Sequence, residues 1–165
     1  MTKRLMPTRE NLRRVHNGAA ISEEDIAGVE MMLYLIRAAD VVREFVYADL
    51  NKRGLSEGKF ALLMALLDAG GPLPVVELAN RVGVSAPTTS VMVARMQQAE
   101  KPLIAKIQSK DDARSSLVEL TAEGRAVVAA ELPANTARVA DFARCLSGPE
   151  RELMIEMLKK LVADR

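Results

Sequence analysis

The run Gly83-Val84-Ser85-Ala86-Pro87 constrains this chain more than any other stretch of its sequence. Glycine tolerates the left-handed backbone that closes many helices. A serine hydroxyl accepts a backbone N–H that a first helical turn leaves unpaired, and a proline in that turn removes no intrahelical hydrogen bond. One helix therefore ends at Gly83 and another begins at Ser85. Thr89, Met92, Val93 and Met96 then recur at i, i+3, i+4 and i+7, an apolar-leaning stripe that can pack on earlier helices. The opposite face carries Ala86, Pro87, Thr88, Ser90, Val91 and Arg95. Small polar side chains at the start of the second helix of such a pair suit a major groove, because they approach base edges and phosphates without blocking entry. A solvated helix with a Ser/Thr-rich start has the same sequence, so the flanking segments decide between the two.

Two short β-prone runs follow, Leu103-Ile104-Ala105-Lys106-Ile107 and Leu117-Val118-Glu119-Leu120. They are separated by the polar segment Ser109 to Ser116 after Gln108, a composition suited to a hairpin tip. A hairpin wing beside a recognition helix explains this order. Arg114 near the tip suits a narrow minor groove, where negative potential concentrates, and Asp112 can hold its guanidinium in a bidentate pair. Upstream, Leu55-Ser56 opens a helix through Phe60, Leu62, Leu63, Ala65, Leu66 and Leu67 that ends at Gly70-Gly71-Pro72. Leu73-Pro74 is expected to open the next helix, with Val75, Leu78, Ala79 and Val82 as its inner face.

In this order the residues resemble the MarR family of bacterial transcription regulators. The likeness rests on Leu55-Ser56-Glu57, Glu77-Leu78-Ala79, Val84-Ser85 with Thr88 and Ser90, Asp112-Ala113-Arg114-Ser115, and Leu120-Thr121-Ala122-Glu123-Gly124. Leu146 to Leu153 is similar to the start of the family's last helix, so the resemblance runs from about Asp25 to Leu161. It implies a homodimer with two winged lobes, often repressing transcription until a small ligand or an oxidant releases the DNA. Three positions depart from the family pattern. Ala113 stands where the wing usually has a second Arg, and Val91 where a basic or polar residue is common on the DNA face. Gln97 to Pro102 replaces the usual Lys/Glu-rich, Gly-containing end before the first wing strand.

A formal net charge of +1 argues against attachment to DNA through a general excess of Lys and Arg. Its distribution matters more. Met1 to His16 holds five basic residues and one acid, whereas Ser56 to Leu120 balances seven of each. The lobe must therefore gather Arg81, Arg95, Lys106, Lys110 and Arg114 on one face, with Glu57, Asp68 and Glu77 turned elsewhere.

Outside the lobe, Met1 to Ala20 reads as a basic arm or as a mobile tail. Ser22 with Asp25 resembles a capping box that opens a long helix to about Lys52, closed by Gly54. Its apolar surface, including Ile26, Val29, Met32, Leu33, Leu35, Ile36, Val46 and Leu50, is broad enough for burial on two sides. Thr121 caps a helix that Pro133 is expected to kink or break, with a second piece from Ala134 to Cys145. Ser147 caps the last helix, with Leu153, Ile155, Met157, Leu158 and Leu161 as apolar positions.

Cys145 admits an oxidant-sensor reading, but on an apolar-rich segment the structural reading of a buried, inert thiol is preferred. His16, the sole histidine, reads as a surface residue rather than a metal ligand. Met31, Tyr34, Arg37, Met64 and Val128 could line an effector pocket similar to the family's, with Arg37 holding a carboxylate; the same residues also suit an ordinary core. No catalytic pair, phosphate loop or Cys/His cluster occurs, so no enzyme activity, cofactor or metal is expected. One cysteine fits a reducing cytosol, no run of 18 apolar residues occurs, and the basic N-terminus lacks the pattern of a secretory signal; a cytoplasmic protein without a membrane partner is expected.

The expected fold class is mainly α with a small β-hairpin wing: a basic arm (1–21), a long dimerisation helix (22–54), a winged helix-turn-helix lobe (55–121) and C-terminal dimerisation helices (122–165). The expected partners are double-stranded DNA, a second copy of the chain and a small-molecule effector. On the DNA face Thr88, Ser90 and Arg95 position or read the helix, beside Ala86, Pro87 and Val91. Ser85, Lys106 and Lys110 contact phosphates, Asp112 braces the wing, and Arg114 enters the minor groove. A winged-helix protein-interaction module and a cysteine-switched stress sensor are the alternatives. Arg114→Ala is expected to cost about 1 to 3 kcal/mol of DNA affinity at fixed salt, read by fluorescence anisotropy.

Overall fold

The structure is a computed structural model that describes residues 6–17, 21–108 and 116–163. The wing tip, with Lys110, Asp112, Ala113 and Arg114, lies outside the described residues. The chain divides into two compact units, one ending at Phe45 and one beginning at Val46.

The first unit holds α1 (Arg9–Val15) and most of α2 (Glu23–Lys52). Thr8 caps α1 by accepting the Asn11 N–H, Leu12 is buried, and His16 closes the helix with Nδ1 2.8 Å from the Leu12 carbonyl. At the start of α2 the Asp25 N–H donates to Ser22 Oγ at 3.0 Å, while Asp25 Oδ2 accepts the Ser22 hydroxyl at 2.6 Å and the Ser22 N–H at 3.1 Å. The expected reciprocal box is formed, and its hydroxyl bond holds the Asp25 carboxyl below its ordinary range. Arg13 pairs with Glu23 through two bonds of 2.7 Å and Arg9 pairs with Glu30, so acids of α2 match two cations of the arm. On α2, Met31, Met32, Tyr34 and Ile36 are each about half exposed.

The second unit takes in the end of α2, then α3 (Glu57–Ala69), β1 (Leu73–Pro74), α4 (Val75–Val82), α5 (Ala86–Gln97), β2 (Ile104–Gln108) and β3 (Ser116–Leu120). It continues with α6 (Ala122–Phe142), a 3-10 turn (Ala143–Cys145) and α7 (Gly148–Val162). Its core joins Leu62, Leu63 and Leu66 of α3 to Leu78, Val93, Ile104, Val118 and Val128, one or more from each of five further elements. Ser56, Ser85 and Thr121 cap α3, α5 and α6 as their sequence positions require. Ser147 and Glu150 form a second reciprocal box at α7, with Glu150 Oε2 accepting both the Ser147 N–H at 2.7 Å and its hydroxyl at 2.6 Å.

Three expectations are corrected. Leu73-Pro74 does not open a helix. It forms a short strand whose residues pair with Val118 and Leu117, giving an antiparallel sheet of order β1-β3-β2. A proline suits this edge because it has no N–H to contribute to a ladder, and Pro74 then precedes α4 without a side-chain cap. Secondly, α6 runs unbroken from Ala122 to Phe142 with Pro133 inside. Proline removes one backbone bond, and the helix is anchored around it: Val128 is buried, Glu131 pairs with Arg53, and Arg138 pairs with Asp49. Thirdly, Cys145 is exposed in the 3-10 turn rather than buried. This turn lies beyond the last buried residue of α6, and the thiol's contact is with the Phe142 carbonyl at 3.5 Å.

The junction between wing and α6 is the tightest approach at any described glycine. The Thr121 hydroxyl donates to the Pro102 carbonyl at 2.8 Å, the Thr121 N–H donates to Leu103 O at 3.1 Å, and the Gly124 N–H donates back to Thr121 Oγ1 at 3.0 Å. A β-carbon on Gly124 would lie 2.0 Å from the Leu103 carbonyl oxygen, a backbone atom that cannot rotate away. This gives the Thr-Ala-Glu-Gly sequence a physical reason. Gly124→Ala is expected to destabilise the protein by about 2 kcal/mol or more in urea unfolding, whereas Gly71→Ala, with open space around it, changes stability by less than about 0.5 kcal/mol.

Candidate nucleic-acid interface

The helix-turn-helix is made by α4, Gly83 and α5. Gly83 adopts φ 70°, ψ 30°, and its N–H closes α4 on the Ala79 and Asn80 carbonyls. Two residues later Ser85 Oγ accepts the Thr88 N–H at 3.3 Å and lies 2.8 Å from Thr88 Oγ1. The Ser85 hydroxyl is thus used first to fix the start of the helix, and it draws Thr88 into the same cluster.

The rotation of α5 about its own axis is settled by burial. Thr89 and Val93 are completely buried and Met96 nearly so, while Met92 packs against the core. Thr88, Val91 and Arg95, one position off that stripe, face outward together with Pro87 and Ser90, and Ala86 is half-buried at the helix start. Val91 is 51% exposed, an apolar side chain in the middle of a polar face. Burial therefore turns this outward face into a shallow surface of small side chains ending in a guanidinium. Arg95 makes no hydrogen bond or ion pair among the described residues, which leaves its charge available.

The wing strands sit beside this helix in the same unit. Their register pairs Ile104 with Leu120 and Lys106 with Val118. Ile104, Val118 and Leu120 are buried and anchor the base of the hairpin, while Lys106, two residues further out, is exposed. The structure thus presents Ser85, Ala86, Pro87, Thr88, Ser90, Val91, Arg95 and Lys106 in one compact unit. Lys110, Asp112 and Arg114 lie outside the described residues.

Arg81 behaves differently from its sequence expectation. Its guanidinium is committed to Asp68 at 3.2 Å and Glu77 at 3.1 Å, so it supplies no free charge to this face. The Glu77 partner is an i, i+4 neighbour and was legible. Asp68 sits at the end of α3 and was not.

Of the five residues assigned to an effector pocket, Met31 and Tyr34 are about half exposed and Arg37 is half-buried in the first unit. In the second unit, Val128 is a core residue and Met64 packs against that core. The second unit also contains a cavity of about 250 Å³ that the sequence did not disclose. It is lined by Arg53, Lys59, Arg95, Lys101 and Glu131 over Leu55, Met96, Leu103 and Val127. Glu131 accepts from Arg53 through both oxygens at 2.6 Å and holds that guanidinium above its ordinary pKa. No group of three or more His, Cys, Asp or Glu suited to a metal occurs among the described residues, nor is any helix there long and apolar enough to cross a membrane.

Residues 55–116, from two residues before α3 to the start of β3, match the model of the MarR family. The transcriptional regulator HosA of Escherichia coli O111:H- is 31% identical over 108 residues, 66% of this chain and 78% of HosA. The chain belongs to the MarR family. The HTH-type transcriptional repressor YetL of Bacillus subtilis is 29% identical over 138 residues, 83% of this chain and 81% of YetL. Among solved structures, the transcriptional repressor CouR bound to a 23-mer DNA duplex superposes with a TM-score of 0.72 at 23% identity, over 87% of this chain and 99% of CouR. The fold is therefore the winged helix-turn-helix of MarR regulators, and the sequence resemblance and fold class stand as expected.

Removing the cap tests how this helix start is held. Ser85→Ala is expected to cost about 1 kcal/mol in urea unfolding and Ser85→Asp almost none, because an aspartate accepts the same N–H.

Proposed function

We propose that this MarR-family chain is a homodimeric repressor that seats α5 in the major groove of duplex DNA and lets go when a small ligand binds. The observation that carries the reading is the division of α5: Thr89, Val93 and Met96 are buried, and Thr88, Ser90, Val91 and Arg95 are left outward at the end of the helix-turn-helix. Arg95 and Lys106 are exposed cations in this unit, suited to phosphates that flank a groove. In CouR the same fold is found bound to a DNA duplex, which supports the assignment of this face.

Pairing is supported by apolar surface that a single chain leaves uncovered. On α2 this includes Met31, Tyr34 and Ile36. On α7 Leu153 is 58% exposed, Met157 53% and Val162 70%. Exposed apolar side chains in this number on a helix suit an association surface, and a two-fold axis uses the same surface on both copies. A dimer places two α5 helices on one duplex, so the operator is a pseudo-palindrome with half-sites about one turn, or ~34 Å, apart.

The rival reading, a winged-helix module that binds only protein, draws on exposed Val91 and the neutral charge of the lobe. Titration of the purified full chain on its own promoter DNA at several salt concentrations separates them. A repressor that neutralises phosphates shows log affinity falling linearly with log salt, at a slope of about −0.9 per phosphate contact. In the same assay Ser85→Asp, which keeps the cap but adds a carboxylate facing the phosphates, is expected to weaken binding about tenfold or more. Salt-independent or absent binding by wild type contradicts the reading.

A further inference from the structure

The centre of the outward face of α5 is held by a side chain that can neither donate nor accept a hydrogen bond. Val91 stands there, 51% exposed, one turn after Thr88 and one turn before Arg95. No packing demand puts it there, because the inner stripe is already filled by Thr89, Val93 and Met96. Pro87, four residues earlier and next to Val91 on the helix surface, is exposed as well, and its ring offers carbon alone. The hydroxyl of Thr88 lies 2.8 Å from Ser85 Oγ and is already bonded within the cap. Arg95 belongs to the last turn, whereas the residues that reach base edges in a helix-turn-helix come from the earlier turns. Beside Ser90, which is turned about 100° away, this part of α5 therefore offers a groove two methyl groups.

We propose that Val91 is a specificity-determining residue that reads thymine, its methyls meeting the thymine C5-methyl at one position of each half-site. That methyl is the one alkyl group a base edge shows in the major groove. Contact with Val91 takes apolar surface of both partners out of water. Other bases in the same place are disfavoured for the opposite reason. Guanine presents O6 and N7, adenine N7 and its N6 amine, and cytosine its N4 amine; against Val91 these groups lose water and gain no partner. The preference thus joins an attraction to a penalty against the alternatives. It also gives the charges of the lobe a separate task. Arg95 and Lys106, both exposed, suit the sequence-independent backbone, and the base is chosen without a charge.

The inference rests on the proposed DNA binding and adds the base that it selects. Uracil differs from thymine only by the C5-methyl, so the test exchanges one for the other. Promoter duplexes carrying uracil at random in place of thymine are divided by the purified full chain into bound and free fractions, and the positions depleted from the bound fraction are read. Wild type is expected to disfavour uracil at a symmetric pair of positions, about fourfold at each, the effect of one buried methyl. Val91→Ala should lose the depletion at that pair, and Val91→Ile, which keeps a branched apolar side chain, should retain it. Urea unfolding of each variant checks that the fold is kept. Arg95→Ala should bind thymine and uracil duplexes more weakly by the same factor, with the salt slope reduced by about one. Salt-dependent binding that is indifferent to uracil at every position, or a depletion pattern that is the same in Val91→Ala as in wild type, overturns the inference and leaves the repressor reading standing. Binding that is absent or independent of salt overturns both.

Discussion

The burial of Thr89, Val93 and Met96 against α3, α4 and the wing base is the contact on which the rest of the structure depends. Successive residues on an α-helix are turned by about 100°, so fixing one stripe in the core fixes the direction of every other side chain on the helix. Once those three positions are inside, Thr88, Val91 and Arg95 are outside with no further instruction. Gly58 on α3 lies against α5: a β-carbon there would lie 2.5 Å from the end of the Met92 side chain, a flexible group that can move aside. The outward surface of α5 is thus a by-product of packing, and its precision is that of the core.

A second constraint holds the wing in place relative to that helix. Two bonds from Thr121, one from its hydroxyl and one from its N–H, tie the start of α6 to the carbonyls of Pro102 and Leu103, just before β2. Leu120, the residue before Thr121, is paired with Ile104 across the hairpin. The segment from the end of α5 to the start of α6 therefore closes on itself at its base, and the hairpin leaves the lobe in a fixed direction. The cavity lies at the same junction, with Leu103 and Arg95 among the residues that line it.

What the sequence made legible was local. The caps at Ser22, Ser56, Ser85, Thr121 and Ser147 depend on residues three apart, and the inner stripe of α5 on a regular spacing, so pattern alone located them. What it hid depended on distant partners. Leu73-Pro74 reads as a helix start until β3, more than forty residues later, offers an edge to pair with. Pro133 reads as a break until Glu131 and Arg138 are seen anchored to Arg53 and Asp49. Arg81 reads as a free cation because the approach of Asp68 is a tertiary fact. The cavity gathers residues 53, 59, 95, 101 and 131, a set that no window of sequence contains.

The account's central claim is that the outward stripe of α5 lies against a DNA duplex. A photo-crosslinking amino acid introduced at Val91, the exposed centre of that stripe, tests it directly, with the same probe at Leu153 on α7 as its counterpart. The account predicts a covalent link to promoter DNA from position 91 and a link between two protein chains from position 153. DNA captured from 153, or a protein that binds duplex normally yet never links to it from 91, would contradict it.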